Sequence, residues 1–158
     1  MITASDAVYE QVKPNQDMAA YGSKVVETLF RNMAFCIHKT LSAPDEENIH
    51  DLRVTCLRLR HALRLFGDLF PARQARRTLR RLNNLKDMLG AVRSLDIALQ
   101  VLGSEPIAAA VSAPMRRNIT AELEQQRRRS LRPLRLRLRK LQRSDSLQRW
   151  RTRLMPSG

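Results

Sequence analysis

The chain has 158 residues, a formal net charge of +14 and a sequence pI near 11.3. That length fits one domain with a core of its own, and a hydrophobic content of 43% argues against general disorder. No apolar run approaches the roughly 18–20 residues of a membrane span, and the start MITASDAVYEQVK lacks the basic-then-apolar order of a signal peptide, which points to a cytoplasmic protein.

Residues 1–14 are weakly patterned and read as an N-terminal arm ending at Pro14. Asn15 or Asp17 is placed to cap a long helix reaching about Leu41, with Met18, Tyr21, Val25, Leu29, Phe30, Met33 and Ile37 mostly on one side. The stretch SAPDEEN (42–48) is a loop closed by Pro44, its carboxylates suited to the positive N-terminus of the helix that follows.

That next helix, NIHDLRVTCLRLRHALRLF (48–66), organises the rest. Ile49, Leu52, Cys56, Leu59, Leu63 and Phe66 recur at alternating spacings of three and four, the seam of a core-facing helix. Beside the seam run His50, Arg53, Arg60 and Arg64, with Leu57 in the gap. At about 100° per residue this second stripe lies a quarter to a third of a turn from the first, at the edge of the core. Such a line of guanidinium groups, held by neighbouring helices, can face a line of anions.

Residues 72–89 predict a further helix with Leu79, Leu82, Leu85 and Leu89 inward and Gly90 as terminator. Arg73, Arg76, Arg77, Arg80 and Arg81 crowd its opening turns, where cations oppose the helix dipole. Ser94 then caps a short helix through Leu102, with Asp96 in its first turn, and Gly103 ends it. Ser104 and Pro106 restart the chain, and Pro114 opens a helix running from Met115 to Leu141 that Pro133 should kink or divide. Asp145 or Ser144 caps a final short helix with Leu147, Trp150 and Leu154, and residues 156–158 are a tail. LRLRLRKL (134–141) alternates like a strand, but nothing in the chain could pair with it. The expectation is an all-α antiparallel bundle over residues 15–155, with about four main helices and several short ones.

Nothing in the chain composes a persuasive active site. His38, His50, His61, Cys36 and Cys56 lie on separate turns and helices without triad or metal-ligand spacing, carboxylates are sparse, and no glycine-rich phosphate loop occurs. The thiols read as buried and free. No cofactor is implied, and the expected function is binding rather than catalysis. Only five of the 29 cations are lysine, and the other 24 are arginine, the side chain best suited to bidentate phosphate contacts. They are also unevenly placed, with net −3 over residues 1–47 and net +17 over residues 48–158. Too few aromatics lie outside the apparent core to stack single-stranded bases, and no groove-reading motif is present, although charge alone gives nonspecific affinity for duplex DNA.

The segment IHDLRVTCLRLRHALRLF resembles the signature of the CHAD family (conserved-histidine α-helical domain), a His-x-x-Arg-Val start followed by an arginine-dense helix. LNNLKDMLGAVRSLDIAL (82–99) is similar to the family's Leu-Gly-x-x-Arg-Asp-x-Asp-Val stretch, in matching order and separation. The resemblance covers roughly residues 15–155 and implies an all-helical bundle that binds inorganic polyphosphate without catalysis. His50, Arg53, Arg58 and Arg60 match the first motif; Leu89, Gly90, Arg93, Asp96 and Ile97 match the second. The chain has Leu57-Arg58 where the family has two adjacent arginines, and Arg93-Ser94 where it has Arg-Asp. It also has room for one of the family's two helical halves, so a homodimer could rebuild the full surface.

The polyphosphate-binding set expected on this basis is His50, Arg53, Arg58, Arg60, Arg64, Arg80, Lys86, Arg93, Arg128 and Arg132, with Arg53 also placed to pair with Asp96. Arg127, Arg128, Arg132, Arg135 and Arg139 form a second basic band that reads as a solvated face. The rival readings are a nonspecific nucleic-acid binder and an accessory bundle for a triphosphate-processing enzyme, whose own alternating Glu-x-Glu-x-Lys strand is absent here.

Overall fold

The computed structural model describes residues 18–143 and 145–155. The arm over 1–14, the capping positions Asn15, Asp17 and Ser144, and the tail at 156–158 lie outside them. Among the described residues there are six α-helices and no strands: α1 (Met18–Ser42), α2 (Glu46–Leu65), α3 (Ala72–Gly103), α4 (Glu105–Ala110), α5 (Ala113–Arg143) and α6 (Ser146–Leu154). The fold is all-α, as the hydrophobic periodicity requires.

α1 and α2 are joined by three residues, so they pack as antiparallel neighbours. The turn is held by side chains. Asp45 is the N-cap of α2, its carboxylate accepting from Asn48 N at 2.8 Å, while Asn48 Nδ2 donates to Ala43 O and Thr40 Oγ1 donates to Asn48 O. Glu46 and Glu47 occupy the first turn, where the helix dipole favours negative charge. At the other end of α2, the ring of Phe66 and a methyl of Leu69 lie on Gly22 of α1. A Cβ at position 22 would come within 2.7 Å of Phe66 Cδ1, so this glycine answers a close approach of chain to chain.

α3 is one helix of 32 residues rather than two. Gly90 does not terminate it: no glycine among the described residues has positive φ, and Ser94 Oγ donates to Gly90 O one turn back instead of capping a new helix. The leucine seam explains the continuity. Thr78, Leu82, Leu85, Leu89, Val92 and Asp96 form one buried stripe, so the packing that favours helix on either side of Gly90 outweighs the roughly 1 kcal/mol that a helical glycine costs. α5 likewise runs through Pro133 undivided. Pro133 and Arg129 are exposed, so the Arg129 carbonyl deprived of its helical donor faces water. Leu131, Leu134, Leu138 and Leu141 are buried and Leu136 is 67% exposed, which is helical rather than alternating burial.

α3 is flanked by α2 on one side and α5 on the other, α5 also touches α1, and α6 folds back onto α3, α5 and α1. One core joins Val26, Phe30, Met33 and Ile37 of α1 to Leu52, Leu59 and Leu63 of α2, Leu82 and Leu89 of α3, Leu134 and Leu138 of α5, and Trp150 and Leu154 of α6. Asp145 stands at the N-cap position of α6 but in the left-handed region (φ 46°), and its side chain makes no capping hydrogen bond. Cys56 is buried, whereas Cys36 is half-buried and lies 3.6 Å from Thr55 Oγ1. No helix among the described residues is long and apolar enough to cross a membrane.

Candidate anion-binding site

α2 enters the site with its seam turned inward, which leaves Arg53 and Arg60 half-buried where α2 meets α3. Cys56, between them in sequence, is fully buried and reaches across the seam to Leu82 O of α3 at 3.4 Å. Burial pushes its thiol up to about 11, against the opposing pull of the nearby Arg60, Lys86 and Arg53 charges. Arg53, Arg60 and Lys86 therefore gather around one point of the α2–α3 seam. Arg53 lies across α3 at Gly90, where a Cβ would stand 4.0 Å from Arg53 Nε. The glycine that reads as a stop signal is, in space, the place where the arginine crosses.

These cations are incompletely satisfied. The Nε atoms of Arg53 and Arg60 are buried without a hydrogen-bond partner, and neither side chain has an ion-pair partner among the described residues. Lys86 Nζ lies 2.7 Å from Asp87, a carboxylate that is itself 67% exposed and so weakly held against competing anions. Asn83, one turn before Lys86, is half-buried with an unpartnered Oδ1. A buried N–H without an acceptor costs on the order of 1–3 kcal/mol, a cost that an incoming phosphate oxygen relieves.

Asp96 does not join this group. It is buried and pairs with Arg127 of α5, Nε to Oδ1 at 2.5 Å, while Arg127 Nη2 donates to Pro44 O of the α1–α2 turn at 3.0 Å. The expected Arg53–Asp96 pair is thus replaced by a tie between α3, α5 and the α1–α2 turn. Arg127 is part of that tie and not of a solvated face. Arg93 is also engaged: Nη1 lies 2.6 Å from Glu46 Oε1, which accepts from Gln100 as well.

A family model described as CHAD domain matches residues 24–158. The chain belongs to the CHAD family. No curated protein and no solved structure matches it. In this CHAD chain the two motifs meet across the α2–α3 seam, where Arg53 of the first lies over Gly90 of the second.

Of the ten residues predicted to bind anion, the structure brings Arg53, Arg60 and Lys86 together. His50 and Arg64 are exposed on the same flank of α2. Arg58 is exposed about 160° around α2 from Arg60, and Arg80 about 120° around α3 from Lys86, so neither shares that face. Arg93 is held by Glu46, and Arg128 and Arg132 are exposed on α5, Arg128 lying 3.8 Å from Glu124. The unpartnered atom of Asn83 is an acceptor oxygen, which a phosphate oxygen does not satisfy, so Asn83 is not part of this set. Among the described residues no group of three or more His, Cys, Asp or Glu side chains could hold a metal ion.

Proposed function

We propose that the chain binds inorganic polyphosphate without catalysing its conversion, through the α2–α3 seam centred on Arg53, Arg60 and Lys86 and flanked by His50 and Arg64. One observation carries the reading: two arginines on one helix flank have buried Nε groups with no partner among the described residues, beside a lysine paired there with an exposed carboxylate. Membership of the CHAD family supports it, as does the 24-to-five preference for arginine over lysine. The polymer enters as a flexible line of anions that needs neither a groove nor stacking, and the site is placed in the cytoplasm. Ile97, Val101 and Met115 are exposed apolar residues towards the far ends of α3 and α5. They support a second copy joining there to enlarge the basic surface.

The test is competition between labelled long-chain polyphosphate and duplex DNA near physiological salt, on wild type and on Arg53→Gln/Arg60→Gln. Polyphosphate is expected to win on wild type, and the variant to bind it roughly 100-fold or more weakly, since two charge-assisted contacts of about 1.5–3 kcal/mol each are lost. The variant's melting temperature should not fall, because no ion pair is lost. Equal competition by DNA, or a loss no greater than in a variant lacking two exposed arginines elsewhere, would replace this reading with a diffuse nucleic-acid-binding surface. Light scattering on the same samples should give twice the 18.2 kDa chain mass.

A further inference from the structure

The other flank of α3 carries a second group of cations. Arg77 and Arg81 are one helical turn apart there, and the guanidinium of Arg81 lies 5.0 Å from the ring centroid of Trp150 on α6. Arg81 and Lys86 are five residues apart, about 140° around the helix, so this flank faces away from the α2 seam. Arg153, one turn beyond Trp150, and Arg137 of α5 complete the group. α6 packs on both α3 and α5 here, and the charge of Arg81 is disfavoured first by burial and then by Arg77, Arg137 and Arg153.

Four guanidinium groups are drawn from three helices, and none has a carboxylate partner among the described residues. Ion pairs among the described residues engage Arg31, Lys86, Arg93, Arg127, Arg128 and Arg151, and none of these four. α6 itself, SLQRWRTRL, contains no acidic residue. The arrangement is unfavourable for the protein alone, since like charges are brought together where one of them is partly desolvated. It becomes favourable when a polyvalent anion lies among them.

We propose that Arg77, Arg81, Arg137 and Arg153 form a second anion site, at the junction of α3, α5 and α6, that takes a compact oligophosphate and thereby holds α6 on the bundle. Compactness follows from the geometry. The α2 flank strings His50, Arg53, Arg60 and Arg64 along one helix, as an extended polymer requires, whereas here the cations come from three helices that pack together. Divalent sulfate offers too little charge for four guanidinium groups; a short oligophosphate carries enough. This site stands without the α2–α3 seam, because it shares no residue with it.

Trp150 is the only tryptophan of the chain, so its emission reports on this junction. The experiment titrates the full chain with inorganic tripolyphosphate at constant ionic strength, following Trp150 fluorescence. Compared are wild type, Arg81→Gln/Arg153→Gln, the single variant of the exposed Arg77, Arg77→Gln, and Arg53→Gln/Arg60→Gln. A saturable change is expected in wild type and undiminished in Arg53→Gln/Arg60→Gln. It should weaken at least tenfold in Arg81→Gln/Arg153→Gln and at least threefold in Arg77→Gln, which keeps the test intact should the double variant fold poorly. Three results would overturn the proposal: no saturable change in wild type, equal response to sulfate, or loss of the response in Arg53→Gln/Arg60→Gln with Arg77→Gln unaffected. The last would assign the signal to the α2–α3 seam alone.

Discussion

Arg127 and Arg53 are the same residue type, both half-buried, at the two seams of α3, and they meet opposite fates. Arg127 reaches a buried carboxylate and a backbone carbonyl, so its charge is consumed in joining α5, α3 and the α1–α2 turn. Arg53 lies over Gly90 with its Nε buried and unpartnered, in the company of Arg60 and Lys86. One seam spends an arginine on the fold; the other leaves the Nε of both Arg53 and Arg60 without a partner among the described residues. Burial alone therefore does not say which arginines of a basic bundle are structural. The presence of an equally buried carboxylate does.

The largest expected effect comes from breaking the paired seam. Asp96→Ala removes the partner of a charge whose side chain is only 20% exposed, and removing one member of a buried pair costs about 3–5 kcal/mol. Urea unfolding should show a loss of that order, while the folded fraction keeps its polyphosphate affinity. A loss under about 1 kcal/mol would mean that Arg127 finds adequate solvation without Asp96, and the contrast between the seams would collapse.

The unpaired seam can be probed through Cys56. Its folded-state thiol is raised from about 9 to about 11, so the fold favours the neutral form. The sign follows from linkage: this contribution is complete below about pH 9 and is lost progressively as pH rises through about 11, up to about 3 kcal/mol in all. Stability measured from pH 8 to pH 10.5 should fall more steeply for wild type than for Cys56→Ala, a comparison that cancels the tyrosines and lysines titrating nearby. Bound polyphosphate should push the thiol higher still, by neutralising the cations that now pull it down, and so slow its alkylation at pH 9–10. Identical pH slopes for wild type and Cys56→Ala would separate Cys56 from the charged seam.

How far these seams were legible in sequence depended on the range of the interaction. The inward stripe of α2 could be read because it is a property of one helix: Ile49, Leu52, Cys56, Leu59 and Leu63 are all buried. The flank holding Arg53, Arg60 and Arg64 follows from the same rotation. Gly90 and Ser94 misled because glycine and serine are also the residues that end and begin helices, and only the leucine stripe continuing to Val92 and Asp96 shows that one helix runs through both. The Asp96–Arg127 tie joins residues 31 apart on different helices, and the group around Arg81 draws on three helices. No periodicity within a single segment encodes either of them. Arg58 and Arg93 were assigned by motif position, which carries no information about rotation around α2 or about a carboxylate as distant in sequence as Glu46.

The smallest effect is also the most discriminating. Leu57 is half-buried on the binding flank of α2, four residues after Arg53 and three before Arg60. Leu57→Arg adds a cation beside both, and should tighten polyphosphate binding about fivefold, roughly 1 kcal/mol, and steepen its salt dependence by about one counterion. Arg58→Leu, on the far side of the same helix, changes net charge by the same amount in the other direction and should barely alter affinity. A diffuse basic surface makes the opposite forecast, because it responds to total charge and treats the two substitutions as mirror images. Salt titrations of the two variants side by side therefore decide whether α2 presents a directed line of cations or only contributes to the +14 of the whole chain.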